Sequence, residues 1–370
     1  MRLLLLTFVA GGLLCLANTL FCEPSRTVDD LFHSKSSTTF VQVEQRGDGM
    51  GALLHSIIYL AAYVKFRGWS FGEFNRHLVD RPHPHGAKKG LIFEFLFPNI
   101  NQMGLASSQD NQTKIVHIEK SPMLDPLNGL PNTAYEIHSD FFELDAIARN
   151  NNCTLDRYLN ANFLELLRNV SSCSVMKELA KRSVFKGNER RDLRVVAHVR
   201  RGDVQSNSDR YMSDEYFIKV LTAIRDIYPR ARLHVFSHND NLTNENTAIW
   251  NQYLKQNITV HVANEYLETN TAQTITAMAH FMTADVFMMS KSSFSAVPAF
   301  YNPNCVLYTP FWHDPLNNWI ILPANHSAEI ATNILKSQLP ACVKALRHRI
   351  SSAGHLKAVN SKLSAHQFEQ

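Results

Sequence analysis

Apolar and polar positions follow two different periods along this chain. From Asp192 onward, short apolar runs stand at 194–199 (RVVAHV), 232–236 (RLHVF), 258–262 (ITVHV), 285–289 (DVFMM) and 305–308 (CVLY). Such runs, short and bounded by turn formers, predict buried strands. Between them, 213–228, 244–256, 271–283 and 292–301 carry helical spacing. Strands alternating with helices imply a parallel sheet covered on both faces. A further helix is predicted over "SAEIATNILKSQL", and 351–370 reads as a polar tail.

The first part of the chain begins in the same way. "TTFVQVEQ" predicts a strand; Gly47, Gly49 and Gly51 make a tight loop; Leu53, Leu54, Ile57, Ile58 and Ala61 then fall on one helix face. This is strand, glycine loop, helix, the opening of a Rossmann-like unit. Residues 70–130 are the least regular part, and 138–185 read as mostly helical. The fold class is therefore α/β, with two Rossmann-like halves, 40–190 and 191–345, facing a cleft, and a tail at 346–370. Ligands of such sheets bind beyond the carboxyl ends of the strands, so the cleft is the expected site.

The amino terminus changes the picture of where the chain works. Arg2 precedes an apolar run from Leu3 to Leu20, a targeting segment that is either a cleaved signal peptide or a type II signal anchor over 1–22. Residues 23–39, rich in Ser and Thr, read as a stem. The expected location is the secretory pathway, in the Golgi or endoplasmic reticulum lumen if anchored, or outside the cell if cleaved. Sequons at Asn111, Asn152, Asn169, Asn241, Asn257 and Asn325 agree with it. So do the spaced cysteines, for which Cys153–Cys173 and Cys305–Cys342 are the expected pairs. The net charge of +4, from scattered basic residues, does not point to nucleic acid as a partner.

Candidate chemistry lies at the strand ends. Arg200 and Arg201 follow the strand 194–199, where a guanidinium can hold phosphate oxygens through paired hydrogen bonds. Gly202 permits close backbone approach, and Asp203 can orient an arginine. A second strand, Asp285 to Met289, feeds Ser290-Lys291-Ser292-Ser293 at the start of a helix, an end that caps itself or attracts phosphate. The glycine loop, with Gly49 and Gly51, is a third candidate. Arg46-Gly47-Asp48 and Arg201-Gly202-Asp203 raise cell adhesion as another reading, but both follow apolar strands directly, whereas adhesion needs an exposed loop. His83 and His85 lack further ligands at metal spacing and read as loop residues. There is no Walker motif and no Asp-x-Asp triplet.

Together these residues resemble the fucosyltransferase superfamily of α1,2-, α1,6- and protein O-fucosyltransferases. Its His-x-Arg-Arg-x-Asp signature stands here as His198-Val199-Arg200-Arg201-Gly202-Asp203, followed by Ser292-Ser293-Phe294-Ser295 after a later strand. The match is good over 192–312 and weak over 52–185. The segment "MSKSSFSAVPAFYNPNCVLYTPFWHDPLNNW" looks like fucosyltransferase-like proteins of algae and protists. The resemblance implies a GT-B fold, GDP-fucose as donor substrate, inversion at the anomeric carbon, no metal and no cofactor, and a glycan or glycoprotein acceptor. It also implies membrane attachment if the anchor is retained. By position it gives Arg200 the donor β-phosphate, with Arg201 in the same donor-binding set. His198 supports the loop or touches the nucleotide, Ser292, Ser293, Phe294 and Ser295 line the diphosphate and ribose, and Asp285 reads guanine. Asp209 is the implied proton acceptor, with Asp203 the alternative; Asp214, beside Ser213, reads as a helix-start residue. One departure stands out: Ala52 occupies a position that is usually Asn in the family's early loop. It keeps an inactive, GDP-sugar-binding or lectin-like relative as the alternative reading.

Overall fold

A computed structural model describes residues 30–31, 39–44, 49–74, 89–98, 114–118, 133–138, 143–185, 192–201, 204, 206–239, 244–264 and 270–367. The first half holds β1 (Thr39–Glu44), α1 (Met50–Arg67), β2 (Ser70–Phe74), α2 (Lys89–Leu96), β3 (Lys114–Ile118), β4 (Thr133–His138), α3 (Leu144–Asn150) and α4 (Ala161–Arg182). The second holds β5 (Arg194–Val199), α5 (Asp214–Ile227), β6 (Arg232–Asn239), α6 (Asn244–Lys255), β7 (Thr259–Asn264), α7 (Asn270–Thr283), β8 (Val286–Met288), α8 (Ser293–Tyr301), β9 (Cys305–Tyr308), β10 (Ile320–Ile321) and α9 (Ala328–Gln367). Both sheets are parallel throughout, ordered β2-β1-β4-β3 and β10-β9-β8-β5-β6-β7. The predicted strands and helices of the second half are all present. In the irregular stretch 70–130 the structure adds β2, α2 and β3, which short length and mixed polarity had concealed.

Burial on both faces explains the apolar strands. Along β5, Val195, Ala197 and Val199 pack into one core with α5 and α9, while Val196 faces the other core, with α1, α4 and α8. This is the two-residue period of a pleated strand covered on each side. The second of these cores joins the two halves. Fourteen of the eighteen residues of α1 are buried, which fits a helix wedged between layers rather than one lying on a surface. Its end is sharp: Gly68 takes a left-handed φ of 68°, its N–H bonds to the Lys65 carbonyl, and the Trp69 N–H reaches the Val64 carbonyl.

The seam between the halves is set by α1 and α8. A Cβ added to Gly51 would stand 2.4 Å from the Phe294 backbone nitrogen, so only glycine lets the two helix starts touch. At the other end of α8, Arg168 from α4 donates to the carbonyls of Tyr301 (3.0 Å), Phe300 (3.2 Å) and Asn302 (3.4 Å). A cation at a helix C-terminus meets both free carbonyls and the negative end of the dipole. First-half residues therefore grip α8 at both ends.

Several expectations are corrected. Cys305–Cys342 forms as expected and ties β9 to α9, but Cys153 is free, its Sγ donating to the Ala148 carbonyl at 3.3 Å. Cys173 is disulfide-bonded to a partner outside the described residues, so the Cys153–Cys173 pair does not exist. The tail at 346–370 is helical to Gln367, because its Ala, Leu and Lys content sustains a helix that Gly354 alone does not stop. Within the stem, Leu31 is fully buried against the shared core, and the Asp30 carbonyl accepts from Lys65 Nζ at 2.6 Å. The targeting segment lies outside the described residues, among which no helix is long and apolar enough to cross a membrane. Of the sequons, Asn152, Asn257 and Asn325 are exposed; Asn169 lies within α4, where the Ser171 hydroxyl is buried on the Arg168 carbonyl; Asn111 and Asn241 lie outside the described residues.

Buried His234 and half-buried His261, on the face of the second sheet that meets the first half, cluster with buried His280 of α7. His234 and His261 share a hydrogen bond of 2.9 Å, and His280 accepts from the Val184 N–H at 3.2 Å. Burial pushes His234 down to about 3 and His280 down to about 4, and it lowers His261 as well.

Two outcomes are expected. Gly51→Ala should lower stability by about 1–3 kcal/mol in urea unfolding, because the clash falls on backbone. Each depressed histidine binds its proton more readily when unfolded. Stability should therefore be full above pH ~6.5 and fall as the pH drops toward about 3, by on the order of 1 kcal/mol each for His234 and His280 at pH 5. A urea midpoint that does not move between pH 7.5 and pH 5 would contradict the burial of this cluster.

Candidate functional site

In space the second sheet runs β7-β6-β5-β8-β9-β10. By order of appearance that is 3-2-1-4-5-6, with its switch point between β5 and β8. The connections after these two strands leave toward opposite faces and open a crevice at their carboxyl ends. Arg200 follows β5, and Ser290 to Ser292 follow β8, so the sequence-predicted groups meet at this crevice.

Strand parity then separates the two arginines. Val196, His198 and Arg200 follow one side of β5, and Val195, Ala197, Val199 and Arg201 the other. Arg200, half-buried, donates from Nη1 to Ser292 Oγ at 3.3 Å. Arg201 turns the other way. It pairs with Asp214 at 2.7 Å, donates to the carbonyls of Arg200 (2.7 Å) and Met212 (3.0 Å), and lies over the Tyr211 ring at 4.4 Å. Asp214 also accepts from Tyr253 Oη at 2.7 Å. Arg201 is thus a brace inside the core beneath α5 rather than a donor contact. With its side chain only 12% exposed, it is not displayed as the arginine of an adhesion tripeptide.

The serine segment is organised from below. His198 Nδ1 lies 2.5 Å from Ser295 Oγ and 2.9 Å from Ser290 Oγ, and its ring packs between Phe281 and Phe294. Ser295 is fully buried, so it and His198 hold the loop from beneath. Ser292 caps α8, its Oγ accepting from the Phe294 N–H at 3.2 Å. Its hydroxyl therefore links Arg200 to the start of α8. Beside it begins α1, whose N-cap is Gly49, with no side-chain cap and open space around its Cα. Two helix N-termini thus converge next to Arg200, each carrying a positive partial charge. Lys291, at the same loop, donates to the Asp209 carbonyl at 3.1 Å, and burial lowers its pKa. Arg200 and the two helix N-termini can together receive an anion with several oxygens.

Other predicted residues do not join this cradle. Asp285 precedes β8 and so lies at the opposite, amino-terminal end of the sheet. There it accepts from the Arg194 backbone N–H at 2.8 Å and pairs with its guanidinium at 2.9 Å, which removes it from any guanine-reading role. Asp209 is exposed on a turn, and Asp203 lies outside the described residues. Ser293 and Phe294 lie on the seam, and the Ser293 hydroxyl is bound to His313 Nε2 at 3.1 Å.

Sequence reasoning missed that second polar cluster. His313 Nδ1 lies 3.3 Å from Asp145 Oδ2, and Asp145 Oδ1 accepts from Tyr59 Oη at 2.8 Å. Asp145 belongs to α3 of the first half and His313 to the loop after β9. The available signal was a carboxylate inside the apolar segment "FFELDAIA", since a charge on a buried helix face requires a partner.

The parity argument predicts different losses for neighbouring arginines. Arg201→Ala should cost about 3–5 kcal/mol in chemical unfolding, because it strands buried Asp214. Arg200→Ala should stay within about 1 kcal/mol of the native protein. Equal losses would refute the division of roles.

No family model matches the chain, and no curated protein matches it. Among solved structures it is similar to an E. coli heptosyltransferase held with ADP-2-deoxy-2-fluoro heptose, at 14% identity and a TM-score of 0.36, over 82% of this chain and 99% of that one. A superposition this loose carries no argument about chemistry.

Proposed function

We propose that this chain is a glycosyltransferase acting on a nucleotide-sugar donor, with GDP-fucose the donor and a hydroxyl of a glycan or glycoprotein the acceptor. One observation carries the reading: Arg200 and the Ser292 cap of α8 share a hydrogen bond at the switch point of a 3-2-1-4-5-6 sheet. The His198-to-Asp203 and Ser292-to-Ser295 motifs favour GDP-fucose by resemblance. The reaction inverts the anomeric centre and proceeds without metal. Negative charge grows on the β-phosphate as the C–O bond breaks, and Arg200 with the α8 N-terminus stabilises it from fixed positions. The enzyme works in the lumen of the secretory pathway, behind its N-terminal segment.

The test is donor binding by calorimetry and GDP release from GDP-fucose, both in EDTA. The native protein should bind and turn over, and Arg200→Ala should lower turnover by roughly 10²–10³-fold. Binding without turnover would instead support a non-catalytic GDP-sugar receptor, the reading that Ala52 favours because its methyl group makes no hydrogen bond. Absence of binding to any nucleotide sugar would end both readings.

A further inference from the structure

Resting on the donor reading above, we propose that His313 is the general base that takes the acceptor's proton, with Ser293 as relay and Asp145 as positioning residue. These three side chains form a continuous chain across the seam: Ser293 Oγ to His313 Nε2 at 3.1 Å, then His313 Nδ1 to Asp145 Oδ2 at 3.3 Å. Asp145 accepts at both oxygens, since the Tyr59 hydroxyl is bound at Oδ1. Burial, and then Asp145 itself, raise the Tyr59 pKa well above its ordinary value, so Tyr59 stays a donor. With Asp145 receiving the Nδ1–H, His313 carries its lone pair on Nε2, aimed at the Ser293 hydroxyl. A base oriented by a third group and bonded to a hydroxyl is the geometry of acid–base catalysis.

Position supports the role. Ser293 is the next residue after Ser292, the hydroxyl that meets Arg200, so the chain from Asp145 ends one residue along α8 from the cradle. The imidazole is held by ring contacts, with His55 at 3.8 Å and Phe311 at 5.3 Å between centroids, and its side chain remains 17% exposed. The neighbouring Trp312 is 54% exposed, with Arg210 4.7 Å from its ring centroid. Asp209 offers none of this enclosure, being exposed on its turn.

The step balances without a further reagent. The acceptor oxygen bonds to the anomeric carbon and its proton passes to Ser293 Oγ. The Ser293 proton moves to His313 Nε2, and the bond from the anomeric carbon to the phosphate oxygen breaks with its electron pair on GDP. The resulting imidazolium is balanced by the Asp145 carboxylate.

GDP release from GDP-fucose, with water as acceptor, tests this on the full chain. His313→Gln should reduce kcat by about 100-fold or more while GDP-fucose affinity stays within about twofold of native. Asp145→Asn, which keeps an acceptor for Tyr59, should also lower kcat without raising KM, and it serves if the first variant does not fold. A folded His313→Gln or Asp145→Asn that keeps pace with the native protein overturns this inference alone. A native protein that releases no GDP overturns the donor reading and this inference with it.

Discussion

The structure depends on one close approach, that of Gly51 at the start of α1 to the backbone of Phe294 at the start of α8. Any side chain at position 51 would hold these helices apart. The approach fixes more than packing. It sets two helix N-termini side by side at the mouth of the crevice, and it brings α3, with Asp145, within reach of the loop that carries His313. Arg168 grips the far end of α8, so the helix can neither tilt nor slide without losing contacts at one end. The first half therefore holds α8 at both ends.

Strand parity is the second organising constraint. A pleated strand presents alternate residues to alternate faces, and both faces of β5 are buried. Two adjacent arginines at its end must then part company. One meets the Ser292 cap at the crevice; the other enters the core beneath α5 and is neutralised by Asp214. A buried ion pair of this kind does little for net stability, but losing either partner is costly. The same motif thus contains an arginine turned to the crevice and a structural brace.

Three polar groups buried at the seam have their partners close by. His198 is bound to two serines, Ser293 to His313, and Asp145 to His313 and Tyr59. Such networks hold rotamers in place, which is what a site requires of the residues behind its surface. The histidine cluster of His234, His261 and His280 lies at some distance from these groups and is neutral because it is buried. It couples the seam to pH without touching the crevice.

The sequence by itself determined the second half almost element by element, because buried parallel strands are continuous apolar runs and the helices between them are amphipathic. It also marked Arg200, Ser292 and Gly51, through strand ends, a cap and a glycine loop. Tertiary structure decided the rest. Asp285 could be placed near a ligand only while the direction of β8 was ignored; the sheet puts it at the far end, on Arg194. Beyond β1, the first-half strands are short and mixed in polarity, so their period is too weak to read locally. Cys153 and Cys173 are close in sequence, yet one is free and the other pairs elsewhere, since disulfides follow space and not spacing. The Ser293, His313 and Asp145 chain joins residues up to 168 positions apart, and only the packing of the two halves makes it a unit.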